Sequence, residues 1–253
     1  MKAVFSEAYL SRKEQILDLL LGFESGGTPV GPGKRNKIKI FELGEQRINV
    51  KRFRVPNAIN RISYALLRKS KAQRSYEYAH RLLEKGIGTP EPIGYAEEIG
   101  SRGFGRSFYI SEHLDCDLSF RELLQNPDFP QREKLLVEFT RFTYELHEKE
   151  VEFLDHSPGN TLIELGPGAS SFYLVDLNRM NFGPLNFEAR MRNFSRLSTS
   201  REIIKSMAQE YARLSGKPES LVFERMWHHT REFQKKFQGK RELKKKLKFW
   251  KTH

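Results

Sequence analysis

Apolar and polar positions alternate in two neighbouring segments, KIKIFEL (37–43) and INVKRFRV (48–55), separated by GEQ. Successive side chains of a strand face opposite ways, so the pair reads as a β-hairpin. Two more such runs, IGYAEEI and SFYISEHL, flank the turn GSRGFG and predict two further strands. Upstream, Phe5, Leu10, Ile16, Leu17, Leu20 and Leu21 make an irregular apolar stripe that predicts a helix over 5–22. The Gly- and Pro-rich ESGGTPVGPGKRN after it reads as a loop. Residues 58–85 read as mostly helical, stopping at Gly86 with Pro90 and Pro92 beyond.

The period changes after about residue 115. LSFRELLQ and REKLLVEFTRFTYELHEK carry helical patterns, the second with apolar spacings of three and four. DHSPGN is a loop, TLIEL and SFYLVDL make a short hairpin, and the chain from about Glu188 reads as helical. Strands first and helices after predict an α+β, bilobal architecture with a small antiparallel-sheet N-lobe and a larger helical C-lobe. The predicted boundaries are an N-terminal lobe over 1–112, a helical lobe over 113–230 and a basic tail over 231–253.

Composition narrows the class. The 253 residues are 38% hydrophobic and 30% charged, as in a globular protein with a wet surface. No apolar run is long enough to span a membrane, and charges interrupt the N-terminus where a secretory signal would need an apolar core. A single cysteine, Cys116, excludes an internal disulfide and a thiol cluster for zinc, which points to a reducing cytoplasm. The net charge of +12 is uneven. Nine basic residues and no acid lie between Gln46 and Tyr76; from Arg231 to Lys251 ten bases against two acids supply +8. Such surfaces attract anions. In the tail, Phe233, Phe237, Leu243, Leu247 and Trp250 share one helical arc among lysines, a pattern that suits peripheral contact with an anionic membrane, although Gly239 interrupts it and a solvated tail reads equally well.

The chemistry concentrates in FLDHSPGNTLIELGPGASSFYLVDLN (153–178). Asp155 and Asn160 stand five apart in one loop, and Asp176 ends the apolar run FYLV sixteen residues later. Kinase-like phosphotransferases use this spacing to place a base and two oxygen ligands for Mg2+ around a transferring phosphate. Asp155 is the candidate base, and Asn160 and Asp176 are the candidate metal ligands. Asp and Asn are also ordinary turn residues, so the third group at its distance carries the reading. Lys51, between Val50 and Phe53 on the predicted second strand, is the candidate contact to the α- and β-phosphates of ATP. Gly31 and Gly33, in a degenerate Gly-x-Gly-x-x-Asn turn, are candidates to cover phosphates with backbone N–H groups. Glu77 is the first carboxylate after Lys51 and the candidate to pair with it, though it sits about 100° from the centre of its helix's apolar stripe. Glu112 and His113 follow a strand and are placed beside an adenine pocket that backbone groups rather than side chains would bind; His147 and His156 read as packed groups, and the adjacent His228 and His229 lack metal spacing.

From GKRNKIKIF through KRFRVP, KAQRSYEYAHRLLEKGIGTPEPI and YELHEKEVEFLDHSPGN to FYLVDLNRM, about residues 33–180, the chain resembles the lipopolysaccharide-core (Kdo/heptose) kinase family of the protein-kinase-like fold. The resemblance implies ATP- and Mg2+-dependent phosphorylation of a sugar hydroxyl in the lipopolysaccharide inner core, at the cytoplasmic face of the inner membrane. By position Lys51 matches that family's ATP lysine, Asp155 its base, and Asn160 and Asp176 its metal ligands. The implied partner is a lipid-linked anionic sugar, with no nucleic acid expected. Two departures stand out. Phe153–Leu154 replaces the His-Arg that precedes the catalytic Asp in kinases, which implies constitutive activity, and Asp176–Leu177–Asn178 replaces Asp-Phe-Gly. The competing readings are a compact atypical protein kinase and an ATP-binding scaffold without turnover.

Overall fold

The computed structural model describes residues 1–31, 36–55, 69–100 and 103–249. It divides into a first unit, Met1–Asp115 with Tyr173–Arg179, and a second, Cys116–Phe172 with Met180–His253.

The first unit is built on a six-stranded antiparallel sheet of β1 (Lys2–Phe5), β2 (Thr28–Val30), β3 (Lys37–Leu43), β4 (Gln46–Phe53), β5 (Pro92–Gly100) and β6 (Gly103–Glu112), in the order β1-β5-β6-β4-β3-β2. Alternation along β4 sends Ile48 and Val50 to one face, where they join Phe108, Ile110, Ile16, Leu20 and Phe23. The helix α1 (Lys13–Leu21) supplies Ile16 and Leu20 to that layer. Phe53 lies on the other face, packed with Ala72, Tyr76, Tyr95 and Tyr109, where α2 (Lys71–Glu84) covers β5 and β6. Ser70 caps α2 by accepting from Gln73 N at 3.0 Å.

Two expectations are corrected here. The stretch expected as one helix over 5–22 is three pieces: strand β1 through Phe5, a 3-10 turn at Glu7–Arg12, and α1 from Lys13. β1 forms because Phe5 pairs with Gly94 far along the chain, which local periodicity does not report. The Gly/Pro loop contains β2, an edge strand, which is where Pro29 is tolerated. Of the helix expected over 58–85, the part over 58–68 lies outside the described residues, and the helix begins at Lys71 behind its Ser70 cap.

The second unit is mainly helical: α3 (Phe120–Gln125), α4 (Arg132–Glu148), α5 (Phe187–Asn193), α6 (Arg201–Ser215) and α7 (Glu219–Phe249). Ser119 and Glu122 form a reciprocal capping box that starts α3. Phe120 of α3 stacks on Phe139 of α4 with centroids 3.7 Å apart, and α6 and α7 complete that core with Met207, Tyr211, Val222 and Met226. Short strands β7 (Leu118–Ser119), β9 (Thr161–Glu164) and β10 (Ser171–Leu174) form one ribbon. A second ribbon pairs β8 (Val151–Phe153) with β11 (Met180–Phe182), and neither of its strands was expected. Among the described residues, no helix is long and apolar enough to cross a membrane.

Candidate active site

Each unit brings together part of the predicted set. In the first, Lys51 pairs in register with Tyr109 of β6, and Tyr109 with Tyr95 of β5, so the three side chains share the face that α2 covers. The lysine is buried with its ammonium 5.4 Å from the Phe53 ring centroid, where a charge requires a partner. Its partner is Asp176, with Nζ and Oδ1 2.6 Å apart. Asn178 Nδ2 donates to the same oxygen at 2.6 Å. The segment carrying Asp176 is pinned nearby, since Leu174 N donates to Gly88 O and Thr89 Oγ1 donates to Leu174 O at 2.8 Å. Asp176 itself adopts φ 61°, a left-handed conformation that L side chains take at a cost and that often accompanies functional placement.

In the second unit β8 delivers the Asp155 loop. Pro158–Asn160 is a single 3-10 turn, Asn160 N donates to Ser157 O, and Asn160 Nδ2 donates to Asp155 O at 2.8 Å. The asparagine thereby closes the loop on itself and keeps its amide oxygen as an acceptor. Arg121 lies close to the backbone of Gly159: a Cβ there would meet Arg121 Nη2 at 2.7 Å, a contact that the end of that flexible side chain can relieve. The Asp155 carboxylate is paired through Oδ1 to Arg196, which also donates to Leu154 O at 3.3 Å.

Behind the loop lies a buried polar chain. Asn193 Nδ2 donates to Phe153 O at 2.8 Å, Asn193 Oδ1 faces His147 Nε2 at 3.2 Å, and His147 Nδ1 faces the Tyr211 hydroxyl at 2.9 Å. One assignment satisfies all three contacts: His147 carries its proton on Nε2 and accepts from Tyr211 at Nδ1. Burial pushes His147 down to about 4, so it is neutral. His156 is buried beside the Phe139 and Phe153 rings, and among the described residues neither ring nitrogen has a partner. Burial pushes it down to about 3.

Glu77 is engaged by Lys69 Nζ at 2.8 Å and Gln73 Nε2 at 3.0 Å, so Asp176, and not Glu77, is the carboxylate on Lys51. The cause is helical geometry: Gln73 lies one turn before Glu77 on the same flank of α2. Glu112 accepts from Tyr9 at 2.5 Å and from Gln46 at 2.8 Å, which ties its side chain to the N-terminal turn. Burial and Glu112 together push the Tyr9 hydroxyl up to about 12. Gly31 is exposed with φ 71° and open space around it, whereas Gly33 lies outside the described residues. Sequence reasoning did not single out Arg121, Asn193 or Arg196. Each sits in or beside a helical stretch in which no local pattern marks the side chain that turns toward the loop.

Within the first unit Asp176 offers carboxylate oxygens, and within the second Asn160 offers an amide oxygen, both donor types that hard divalent cations accept. Comparison with known proteins adds the following. The model of the "Lipopolysaccharide kinase (Kdo/WaaP) family" matches residues 30–216. No curated protein matches the sequence. A solved structure described as WaaP in complex with acyl carrier protein is 18% identical; the match covers 93% of this chain and 98% of that one, with a TM-score of 0.63. A Rio2 kinase from Chaetomium thermophilum, in an ADP/Mg2+-phosphoaspartate complex, is 17% identical over 88% of this chain and 76% of that one, with a TM-score of 0.48. The fold is α+β and protein-kinase-like.

Proposed function

The chain belongs to the lipopolysaccharide kinase (Kdo/WaaP) family and is a kinase, and on that premise we propose that it transfers the γ-phosphate of ATP to a sugar hydroxyl of the lipopolysaccharide inner core. The observation that carries this reading is the loop in which Asn160 fixes the backbone of Asp155, combined with a buried Lys51 whose charge is held by Asp176. Asp155 accepts the proton of the attacking hydroxyl on its carboxylate, and Asn160 keeps that carboxylate aimed by holding its carbonyl. Lys51 exchanges Asp176 for the α- and β-phosphates, a transfer that keeps the buried ammonium paired throughout. Asp176 and Asn160 would supply oxygen ligands to Mg2+, which when bound would neutralise charge on the phosphates. Pairing of Asp155 to Arg196, without an arginine at position 154, supports activity that needs no activating phosphorylation.

The acceptor is a lipid-linked anionic sugar, and the basic end of α7 supports peripheral contact with an anionic membrane at the cytoplasmic face of the inner membrane. Phe237 and Leu243 are 53% and 60% exposed there, among lysines and arginines. The test is phosphate transfer from radiolabelled Mg-ATP to purified lipid A–Kdo by the full-length protein. Asp155→Asn is expected to cut turnover by about 10²–10⁴-fold, the usual worth of a positioned base, without changing the melting temperature by more than a few degrees. Transfer at the wild-type rate by that variant, or no transfer by wild type that demonstrably binds ATP, would remove the reading.

A further inference from the structure

The Arg196 guanidinium is placed with more constraint than a surface salt bridge requires. It pairs with Asp155 Oδ1, donates to Leu154 O at 3.3 Å, and lies with its central carbon 5.1 Å from the ring centroid of Phe233 on α7. Its charge therefore lies over an aromatic face while Nη1 is held by the base and by the carbonyl before it. Among the described residues these hydrogen bonds run through Nη1. A guanidinium carries five N–H donors in a flat fork, so the edge formed by Nη2 and Nε remains to be used. The side chain is about one-third exposed, at 32%, and the Asp155 side chain with which it pairs is 28% exposed, so both members of the pair are open to solvent. Arg121 lies against Gly159 at the opposite end of the same loop, so a cation stands at each end of the segment that carries the base.

We propose that Arg196 is the acceptor-recognition residue of this kinase, binding an anionic group that the acceptor sugar carries beside the hydroxyl activated by Asp155. The proposal rests on the kinase reading above and names the part of the acceptor that reading leaves open. The chemistry is that of a carboxylate or a phosphate ester, both of which fit the bidentate fork of an arginine. A neutral sugar leaves the Arg196–Asp155 pair undisturbed. An anionic one shares the guanidinium with Asp155, and its neighbouring hydroxyl comes to rest against the carboxylate oxygen that must take its proton. Arginine thereby selects for acceptors whose charge and reactive hydroxyl lie close together, which is specificity by pairing and by the cost of leaving the guanidinium half-used.

The experiment measures kcat/KM of the full-length protein with Mg-ATP on three acceptors: purified lipid A–Kdo, the same material with its carboxylate converted to the methyl ester, and the same material after phosphatase treatment. Each is assayed with wild type, Arg196→Gln, Arg196→Lys and Asp155→Asn. Arg196→Gln is expected to lower kcat/KM on the native acceptor by about 10–100-fold, mostly through acceptor KM, because a charge-assisted hydrogen bond is lost. On the acceptor lacking the recognised anion the same substitution is expected to cost no more than about 3-fold, and Arg196→Lys falls between. Loss of discrimination with the ester identifies a carboxylate; loss with the phosphatase product identifies a phosphate. An equal penalty on all three acceptors, or a fall in kcat with acceptor KM unmoved, overturns the proposal, since Arg196 would then only position Asp155. Full activity of Asp155→Asn on every acceptor instead defeats the assignment of Asp155 as the base, on which the proposal rests, so the two failures are separable.

Discussion

Removing the Asn193 side chain should unsettle the loop of the candidate base from behind, and the structure sets the size of the effect. Asn193 is buried and uses both ends of its amide, donating to Phe153 O at 2.8 Å and facing His147 Nε2 at 3.2 Å. Asn193→Ala leaves the strand carbonyl without its side-chain donor and the imidazole N–H without its acceptor. Phe153 O keeps His156 N at 3.1 Å, so the imidazole N–H is the buried group left without a partner, at a cost of about 1–3 kcal/mol with a central value near 2. At about 2–4 °C per kcal/mol for a chain of this size, the melting temperature falls by roughly 4–8 °C. Because His147 also bonds Tyr211 at 2.9 Å, the cost is shared along a chain, and a cycle with His147→Leu measures the sharing. The double variant is expected to lose about 1 kcal/mol less than the sum of the singles, since one unpaired group is then absent. Melting by circular dichroism, with urea unfolding for the free energies, decides it. A single variant within about 1 °C of wild type, or strict additivity in the cycle, would refute the reasoning.

Acid should weaken the second unit before it protonates most carboxylates. Burial holds His147 at about 4 and His156 at about 3, against 6.5 for the free group, so the folded state binds fewer protons than the unfolded chain below neutrality. Stability is therefore fully present above pH 6.5 and declines as pH falls toward 4, by about 2 kcal/mol per histidine at pH 5. A urea midpoint that is the same at pH 5 and pH 7.5 would contradict this. In the first unit, a Cβ at Gly94 would meet Val4 O at 2.5 Å and Phe5 Cδ1 at 2.7 Å, so Gly94→Ala must push β1 off the sheet. The expected cost is about 1–3 kcal/mol with faster amide exchange over residues 3–5, and unchanged exchange there would count against it. Lys51→Met should abolish detectable ATP-dependent transfer and lower ATP affinity, read by calorimetry; retained affinity would show that the Lys51–Asp176 pair is structural only.

What could be read from the sequence divides along contact distance. The β3–β4 hairpin was legible because its pattern and its partner are neighbours: Ile38 faces Lys51 across a two-residue turn, and alternation is enforced by one buried face. The Asp155–Asn160 loop was legible for the same reason, since the bond that closes it joins residues five apart. β1 was hidden because Phe5 is a strand residue only by virtue of Gly94, and β8 because Val151 is one only by virtue of Phe182. The pairing of Lys51 shows the limit most sharply. Each member could be named from its surroundings, but sequence proximity suggested Glu77, whereas the fold supplies Asp176 from a segment 125 positions away and gives Glu77 to Lys69 and Gln73. Arg196 belongs to the same class: it follows α5, and nothing in RNFSRL distinguishes it from Arg192, which is exposed. The candidate base and the asparagine that closes its loop lie in one short local motif, whereas the arginine placed against the base arrives from a distant element. The reaction class was therefore readable from a single chain, and the candidate for acceptor choice became visible only when Arg196 was seen to lie against Asp155.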